Sequence, residues 1–369
     1  MLRTPMPFRA GEAAGRPRIV HQAGEQLSVV ADDRVALRLR LSGTGPVRLT
    51  FEDGEGLDAA TALPALMAAF EAVSAAHPDQ DRIGLDLAGA ADLMPALLPA
   101  LRAAGLAVGD GDALAVHAAL LWQRPEPWLA DPSRRDFPAM PVMTEGRRHP
   151  LRAPKPTGLL YRRFVPWLGQ SVAFRAATLD DVDRLHRWMN DPRVDAVWAE
   201  AGPRAKHEAY LAGLIADPHM LPLIGSFGDE PFGYFEVYWA KENRLAPFYE
   251  VRDYDRGWHV LVGEDRFRGR PYVSAWLPSL MHALFLDDAR TDRIVGEPRA
   301  DHVQQLRNLE RSGFARIKTF DFPHKRAALV MLLRERFFGE RLWAPNLPQA
   351  QPARGDDAII ADRALGAAA

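Results

Sequence analysis

Hydrophobic and polar positions along the chain change period at several points, and those changes mark out the elements. Val35, Leu37, Leu39 and Leu41 alternate with Arg34, Arg38 and Arg40, the period of two that belongs to a strand with one buried face. Val47, Leu49 and Phe51 repeat the pattern and suit a hairpin partner. An alanine-rich amphipathic helix over 59–76 follows, then a strand at 83–87, a helix at 93–104 and a strand at 114–122, which together make a small α+β domain. Between 124 and 170, Pro125, Pro127, Pro132, Pro138, Pro141, Pro150, Pro154, Pro156 and Pro166 interrupt every period, so this stretch reads as a connector. The boundary falls near Pro150, giving a domain over 1–150 and a linker over 151–170.

Downstream the pattern predicts a strand at 173–176, helices at 179–190 and 204–216, and strands at 223–227 and 232–239 around the turn Gly228-Asp229-Glu230. A strand at 257–262, a helix at 272–286, a strand at 293–297, a helix at 303–312 and strands at 315–320 and 327–333 complete a domain over 171–340. The order β-α-α-β-β-β-α-β-α-β-β predicts a mixed α/β sheet with helices on both faces. The stretch 341–369, rich in Ala, Pro and Asp, is expected to be partly disordered.

Composition narrows the function classes. The 369 residues are 47% hydrophobic and 25% charged, enough for two cores. A formal net charge of -2 supplies no basic field for nucleic acid or an anionic membrane. The absence of cysteine excludes disulfides, thiolate zinc sites and a cysteine nucleophile. No stretch approaches the roughly 20 apolar residues of a membrane span, nor does the N-terminus carry a secretory core. A cytoplasmic protein without membrane insertion is the expectation.

Three segments carry candidate chemistry. Asp265-Arg266-Phe267-Arg268-Gly269-Arg270-Pro271 lies between a predicted strand and a predicted helix. A glycine there lets backbone approach an anion, the free N–H groups of the helix start face it, and Arg266, Arg268 and Arg270 add positive charge. Pro271 removes one donor. The second segment runs from His302 to Leu309-Glu310-Arg311-Ser312-Gly313-Phe314, where Gly313 suits a helix stop and Phe314 a buried strand start. In the third, Arg256-Gly257-Trp258-His259-Val260-Leu261-Val262, alternation puts Trp258, Val260 and Val262 on one face and His259 with Leu261 on the other. His259 there is placed to accept a proton.

This order of elements and these segments resemble the GNAT superfamily of acyl-CoA-dependent N-acyltransferases over most of 171–338. Arg266 and Gly269 match two fixed positions of its pyrophosphate loop; His302 stands where the family usually has Asn, and Leu309 where many members have a Tyr general acid. Longer runs, among them Gly233-Tyr234-Phe235-Glu236-Val237-Tyr238-Trp239, Glu297-Pro298-Arg299-Ala300-Asp301 and Phe322-Pro323-His324-Lys325-Arg326, are similar to aerobactin-type hydroxylysine acetyltransferases and mycobactin lysine acyltransferases, as is Gly158-Leu159-Leu160-Tyr161-Arg162-Arg163 in the linker.

The resemblance implies an acyl-CoA donor, acetyl-CoA first among them, no metal, and a small amine or N-hydroxy amine acceptor, with hydroxamate formation for siderophores as the activity. It implies His259 and a downstream acid as the catalytic pair, Asp301 being the choice and Glu297 the competitor. Val260, Leu261, Val262, Arg266, Arg268, Gly269, Arg270 and His302 are the implied donor-binding residues. Glu236, Trp239, His324 and Arg326 are candidates for the acceptor. A plain polyamine, amino acid or aminoglycoside as acceptor, and a non-catalytic acyl-CoA-binding module, are the competing readings. The N-terminal domain has an element order compatible with a degenerate GNAT half, and a homodimer is among the allowed assemblies.

Overall fold

The computed structural model describes residues 7–15, 17–43, 46–54 and 57–344; the expectation for the tail beyond Ala344 lies outside them. The chain forms two compact units, one from 1–132 and 159–173, the other from 133–158 and 174–369.

In the first unit, β1 (Phe8–Ala10), β2 (Arg18–Ala23), β3 (Gln26–Ala31), β4 (Arg34–Ser42), β5 (Arg48–Asp53), β6 (Arg82–Asp86) and β7 (Ala115–His117) form a sheet in chain order. β5 and β6 are parallel because α1 (Ala59–Ala76) returns the chain between them. Asp58 opens α1 with a capping box to Thr61. By length and composition α1 is apolar enough to cross a membrane, yet 56% of that window is buried, as suits a core helix. α2 (Met94–Ala103) leads to β7, and the chain then turns into α3 (Ala118–Leu121). The sequence reading of a strand over 114–122 therefore holds only at its start, since a short apolar run does not by itself distinguish strand from buried helix.

The proline-rich connector contains a hairpin of its own, β8 (Pro141–Thr144) and β9 (Arg147–Pro150), turning at Glu145 and Gly146, both of which have positive φ. Its prolines pair at the open end, Pro141 with Pro150, where a missing N–H costs least. A second hairpin, β10 (Leu159–Val165) and β11 (Gln170–Ala176), carries the chain onward.

The second unit continues with α4 (Val182–Met189), α5 (Pro192–Trp198), α6 (Arg204–Ala216), β12 (Met220–Phe227), β13 (Glu230–Trp239), β14 (Arg256–Val262), α7 (Arg270–Asp287), β15 (Arg293–Gly296), α8 (Val303–Arg311), β16 (Ala315–Phe322), β17 (Lys325–Leu333) and α9 (Arg334–Gly339). From β12 its strand order is β12-β13-β14-β15-β17-β16. On one face Leu185, Trp188 and Leu211 of α4 and α6 pack with Tyr234 and Leu261; α7 is buried from Ala275 to Asp287. β14 and β15 are parallel, but only Arg256 with Ile294 and Gly257 with Val295 are paired. Beyond Gly257 the two strands separate, and the site is built in that opening.

Candidate functional site

β13 and β14 set Glu236 directly opposite His259, and directly opposite residues share a face. Continuing the parallel register of Gly257 with Val295 by two residues brings His259 level with Glu297, immediately past the end of β15. The imidazole therefore stands between two carboxylates: Nδ1 is 3.0 Å from Glu236 Oε2 and Nε2 is 2.7 Å from Glu297 Oε1. Glu236 also accepts from the hydroxyls of Tyr210 at 2.5 Å and Tyr234 at 3.2 Å, and Glu297 from that of Tyr238 at 2.9 Å. Both carboxylates are buried, whereas a quarter of the His259 side chain is exposed in a cavity of about 990 Å³.

Burial alone would depress the His259 pKa, but Glu297 and Glu236 outweigh it and raise the value to about 9. Burial pushes Glu297 up; His259, Lys325 and Tyr238 outweigh that and bring it to about 2. Both shifts favour an imidazolium paired with the Glu297 carboxylate.

The other face of β14 borders a smaller cavity of about 170 Å³, lined by Trp258, Val260, Val262, Trp276 and Leu309 among others. The Val260 carbonyl accepts from Trp198 Nε1 at 3.2 Å, and that of Val262 from Arg193 at 2.9 Å. The N–H and C=O of one strand residue point to the same side, so the Val260 and Val262 amides also face the opening. The Leu261 amide does not: it lies opposite Tyr234 with its carbonyl turned toward Gly233, and its side chain packs in the core while bordering the same cavity. The indole N–H of Trp258, which borders both cavities, is buried without a hydrogen-bond partner.

At the start of α7, Gly269 is the N-cap with φ 91°. A Cβ there would meet nothing nearer than Pro271 Cδ at 4.0 Å, so the glycine answers to backbone conformation rather than crowding. Arg266 pairs with Glu230 and lies over Phe267, Arg268 is 3.4 Å from Asp265, and Arg270 opens the helix, exposed. His302 caps α8, its Nδ1 accepting from the Gln305 amide at 3.1 Å, and it borders both cavities.

Two expectations are corrected. Asp301 is exposed and bound to Arg299 at 3.0 Å; lying four residues beyond Glu297 in the turn before α8, it has passed the level of His259. Arg326 is exposed, 3.8 Å from Asp321, and its neighbours His324 and Lys325 line the cavity instead. Trp239 is held between the guanidinium groups of Arg152 at 4.1 Å and Arg256 at 4.0 Å. Sequence reasoning missed Tyr210 and Arg244 as parts of the site. Arg244 sits in the irregular connection after β13, where no period operates.

His149, His219 and Glu242 bring potential metal-ligand atoms within 4.8 Å of one another. Both Glu242 oxygens already accept from Arg152, at 2.6 and 2.8 Å, so an ion-paired network accounts for the cluster.

The site is a cleft where two parallel strands of a mixed sheet part beside a partly exposed histidine held by two buried carboxylates. Residues 177–322 match the family described as an acetyltransferase (GNAT) domain. The N(6)-hydroxylysine O-acetyltransferase of Escherichia coli is 42% identical over 227 residues, covering 61% of this chain and 72% of that protein. An N(5)-hydroxyornithine:cis-anhydromevalonyl coenzyme A-N(5)-transacylase of Beauveria bassiana is 45% identical, covering 52% of this chain and 43% of that protein. A hydroxyornithine transacylase of Ajellomyces capsulatus is 41% identical, covering 54% and 46% respectively. The chain thus spans less than half the length of these two fungal relatives. A solved Bacillus halodurans structure, of an uncharacterized protein, matches with TM-score 0.48 at 27% identity over 51% of this chain and 96% of its own. The chain belongs to the GNAT family of acetyltransferases and is an acyltransferase enzyme.

Proposed function

We propose that the enzyme transfers an acyl group from acyl-CoA, acetyl-CoA first among the donors, to the nitrogen of an N-hydroxylated amine such as N6-hydroxylysine or N5-hydroxyornithine, giving a hydroxamate and free coenzyme A. The observation that carries this reading is β14, which has Glu236-bound and Glu297-bound His259 on one face and outward Val260 and Val262 amides along the opening.

In this reading the nitrogen lone pair attacks the thioester carbonyl, forming the C–N bond. The N–H proton passes to the neutral form of His259, and the C–S bond breaks to a thiolate that takes up a proton. The flanking carboxylates make His259 a strong base by stabilising the imidazolium it becomes. The cost is that the same carboxylates hold His259 mostly protonated at neutral pH. The acceptor compensates, because an N-hydroxy amine is far less basic than an alkylamine and is largely neutral near pH 7. Val260 and Val262 amides support the donor arm and the tetrahedral oxyanion. Gly269, Arg270 and the first turn of α7, with Arg266 and Arg268 released from their carboxylate partners, suit the pyrophosphate. His302 borders the same route through its free ring edge. A cytoplasmic location, where acyl-CoA is made, fits this chemistry.

Product chemistry tests the proposal. N-acylation yields a hydroxamate that gives a coloured iron(III) complex in step with thiol release. Thiol release without that complex indicates acylation on oxygen, and no thiol release with any N-hydroxy amine contradicts the assignment.

A further inference from the structure

The acceptor cavity contains cationic groups that the chemistry above does not use. Arg244 lies over the Phe322 ring with its guanidinium carbon 5.4 Å from the centroid, Lys325 Nζ is 5.7 Å from the same centroid, and the His324 ring stacks on it at 5.5 Å. Phe322 is a core residue packed with Tyr238, Val295 and Leu329, so three polar heads are gathered around one packed ring. Their negative partners are few. The salt-bridge partner of Arg244 is Glu297 at 3.9 Å, a carboxylate already engaged by His259 and Tyr238. Lys325 donates to the Glu297 main-chain carbonyl at 2.8 Å. Burial lowers its pKa, Glu297 opposes that, and the positive charges of Arg244 and Arg299 act with burial; burial, Arg244 and Lys325 likewise lower the pKa of His324. Two like charges and a histidine donor held together around a ring, beside one occupied carboxylate, leave a place for a further anion.

We propose that Arg244, Lys325 and His324 form a carboxylate-binding subsite of the acceptor cavity, which selects N-hydroxy amino acids over N-hydroxy diamines. This rests on the proposed acyl transfer to an amine. The distances suit it: the imidazole reaches Glu297 in 2.7 Å and Glu297 reaches Arg244 in 3.9 Å. Imidazole and guanidinium therefore lie within the length of an extended lysine or ornithine side chain. The other source of a carboxylate in this reaction is a dicarboxylic acyl group on the donor. All three residues line the large cavity on the His259 side and none lines the apolar cavity beside Val262 and Trp276, which favours the acceptor.

The test compares N6-hydroxylysine with N-hydroxycadaverine, which has the same reacting group and no carboxylate, in wild type, Arg244→Gln and Arg244→Lys. The wild type should prefer the amino acid. Arg244→Gln should reduce that preference by about 10- to 100-fold, mainly through KM, as loss of a charge-assisted contact does; Arg244→Lys should restore part of it. Arg244 is 55% exposed, and an unchanged melting temperature confirms an intact fold. Equal wild-type use of the two acceptors, or an equal fall for both in Arg244→Gln, overturns the subsite. So does a rise in KM for succinyl-CoA relative to acetyl-CoA with acceptor preference intact, which assigns the cations to the donor. Plain lysine and cadaverine run alongside separate the two claims: an Arg244-dependent preference for lysine, with no turnover of either N-hydroxy compound, keeps the subsite and removes the hydroxamate assignment.

Discussion

At the scale of residues, the account turns on which acid faces His259. Glu297 meets Nε2 at 2.7 Å, whereas Asp301 is spent on Arg299 in solvent. Glu297→Gln should therefore lower kcat by roughly 10²-fold or more, the range associated with losing general-base function, while Asp301→Asn should stay within about twofold. The titration of His259 gives a second expectation. With a free-enzyme pKa of about 9, kcat/KM should rise with pH between 6.5 and 9 and level off above it; a flat profile across that interval removes the base role from His259. Stability follows the same linkage with opposite limbs. The raised pKa of His259 contributes stability that is complete below about 6.5 and is lost as pH rises through 9. The depressed pKa of Glu297 contributes stability present above about 4.5 and lost as pH falls toward 2. His259→Ala should flatten the alkaline limb of a Tm-against-pH curve.

At the scale of elements, β14 does most of the positioning, and it was only half legible. The alternation of Trp258, His259, Val260 and Leu261 identified a strand and placed His259 on the face opposite Val260, as observed. The parting of β14 from β15 after Gly257 leaves no local signature, because it depends on pairing between segments 38 residues apart. For that reason the sequence named Asp301 and Glu297 together without ranking them correctly: the choice depends on where β15 ends in register with β14. The start of α7 was read from its glycine and arginines, but Gly269 proved to serve a positive φ. Gly257 offers the sharpest mutational check on the strand. A Cβ there would lie 2.1 to 2.6 Å from the Tyr238 ring, the group whose hydroxyl holds Glu297. Gly257→Ala should lower stability by about 1–3 kcal/mol and reduce kcat as well, measured by thermal unfolding and steady-state kinetics on one preparation. Full activity in a destabilised variant would uncouple Tyr238 from the site.

At the scale of the molecule, the two units share a succession of pairings. In the first, antiparallel β4 and β5 are followed by α1, parallel β6, α2 and antiparallel β7. In the second, antiparallel β13 and β14 are followed by α7, parallel β15, α8 and the β16–β17 pair, with β17 antiparallel to β15. The alternation of helix and strand periods was legible in both halves, whereas the parallel pairing itself was not read from it. The hairpin at Pro141–Pro150 was hidden, since prolines at strand ends read as breaks in a chain whose pairing is unknown. The central claim, that the molecule acylates nitrogen bearing a hydroxyl, is tested most directly by the ratio of kcat/KM for N6-hydroxylysine to that for lysine with acetyl-CoA at pH 7.5, read as free thiol. The account predicts a ratio on the order of 10² or more, because the imidazolium site has little neutral base for an alkylammonium and an amine lacking the hydroxyl forgoes its contacts. Equal turnover of lysine would contradict it.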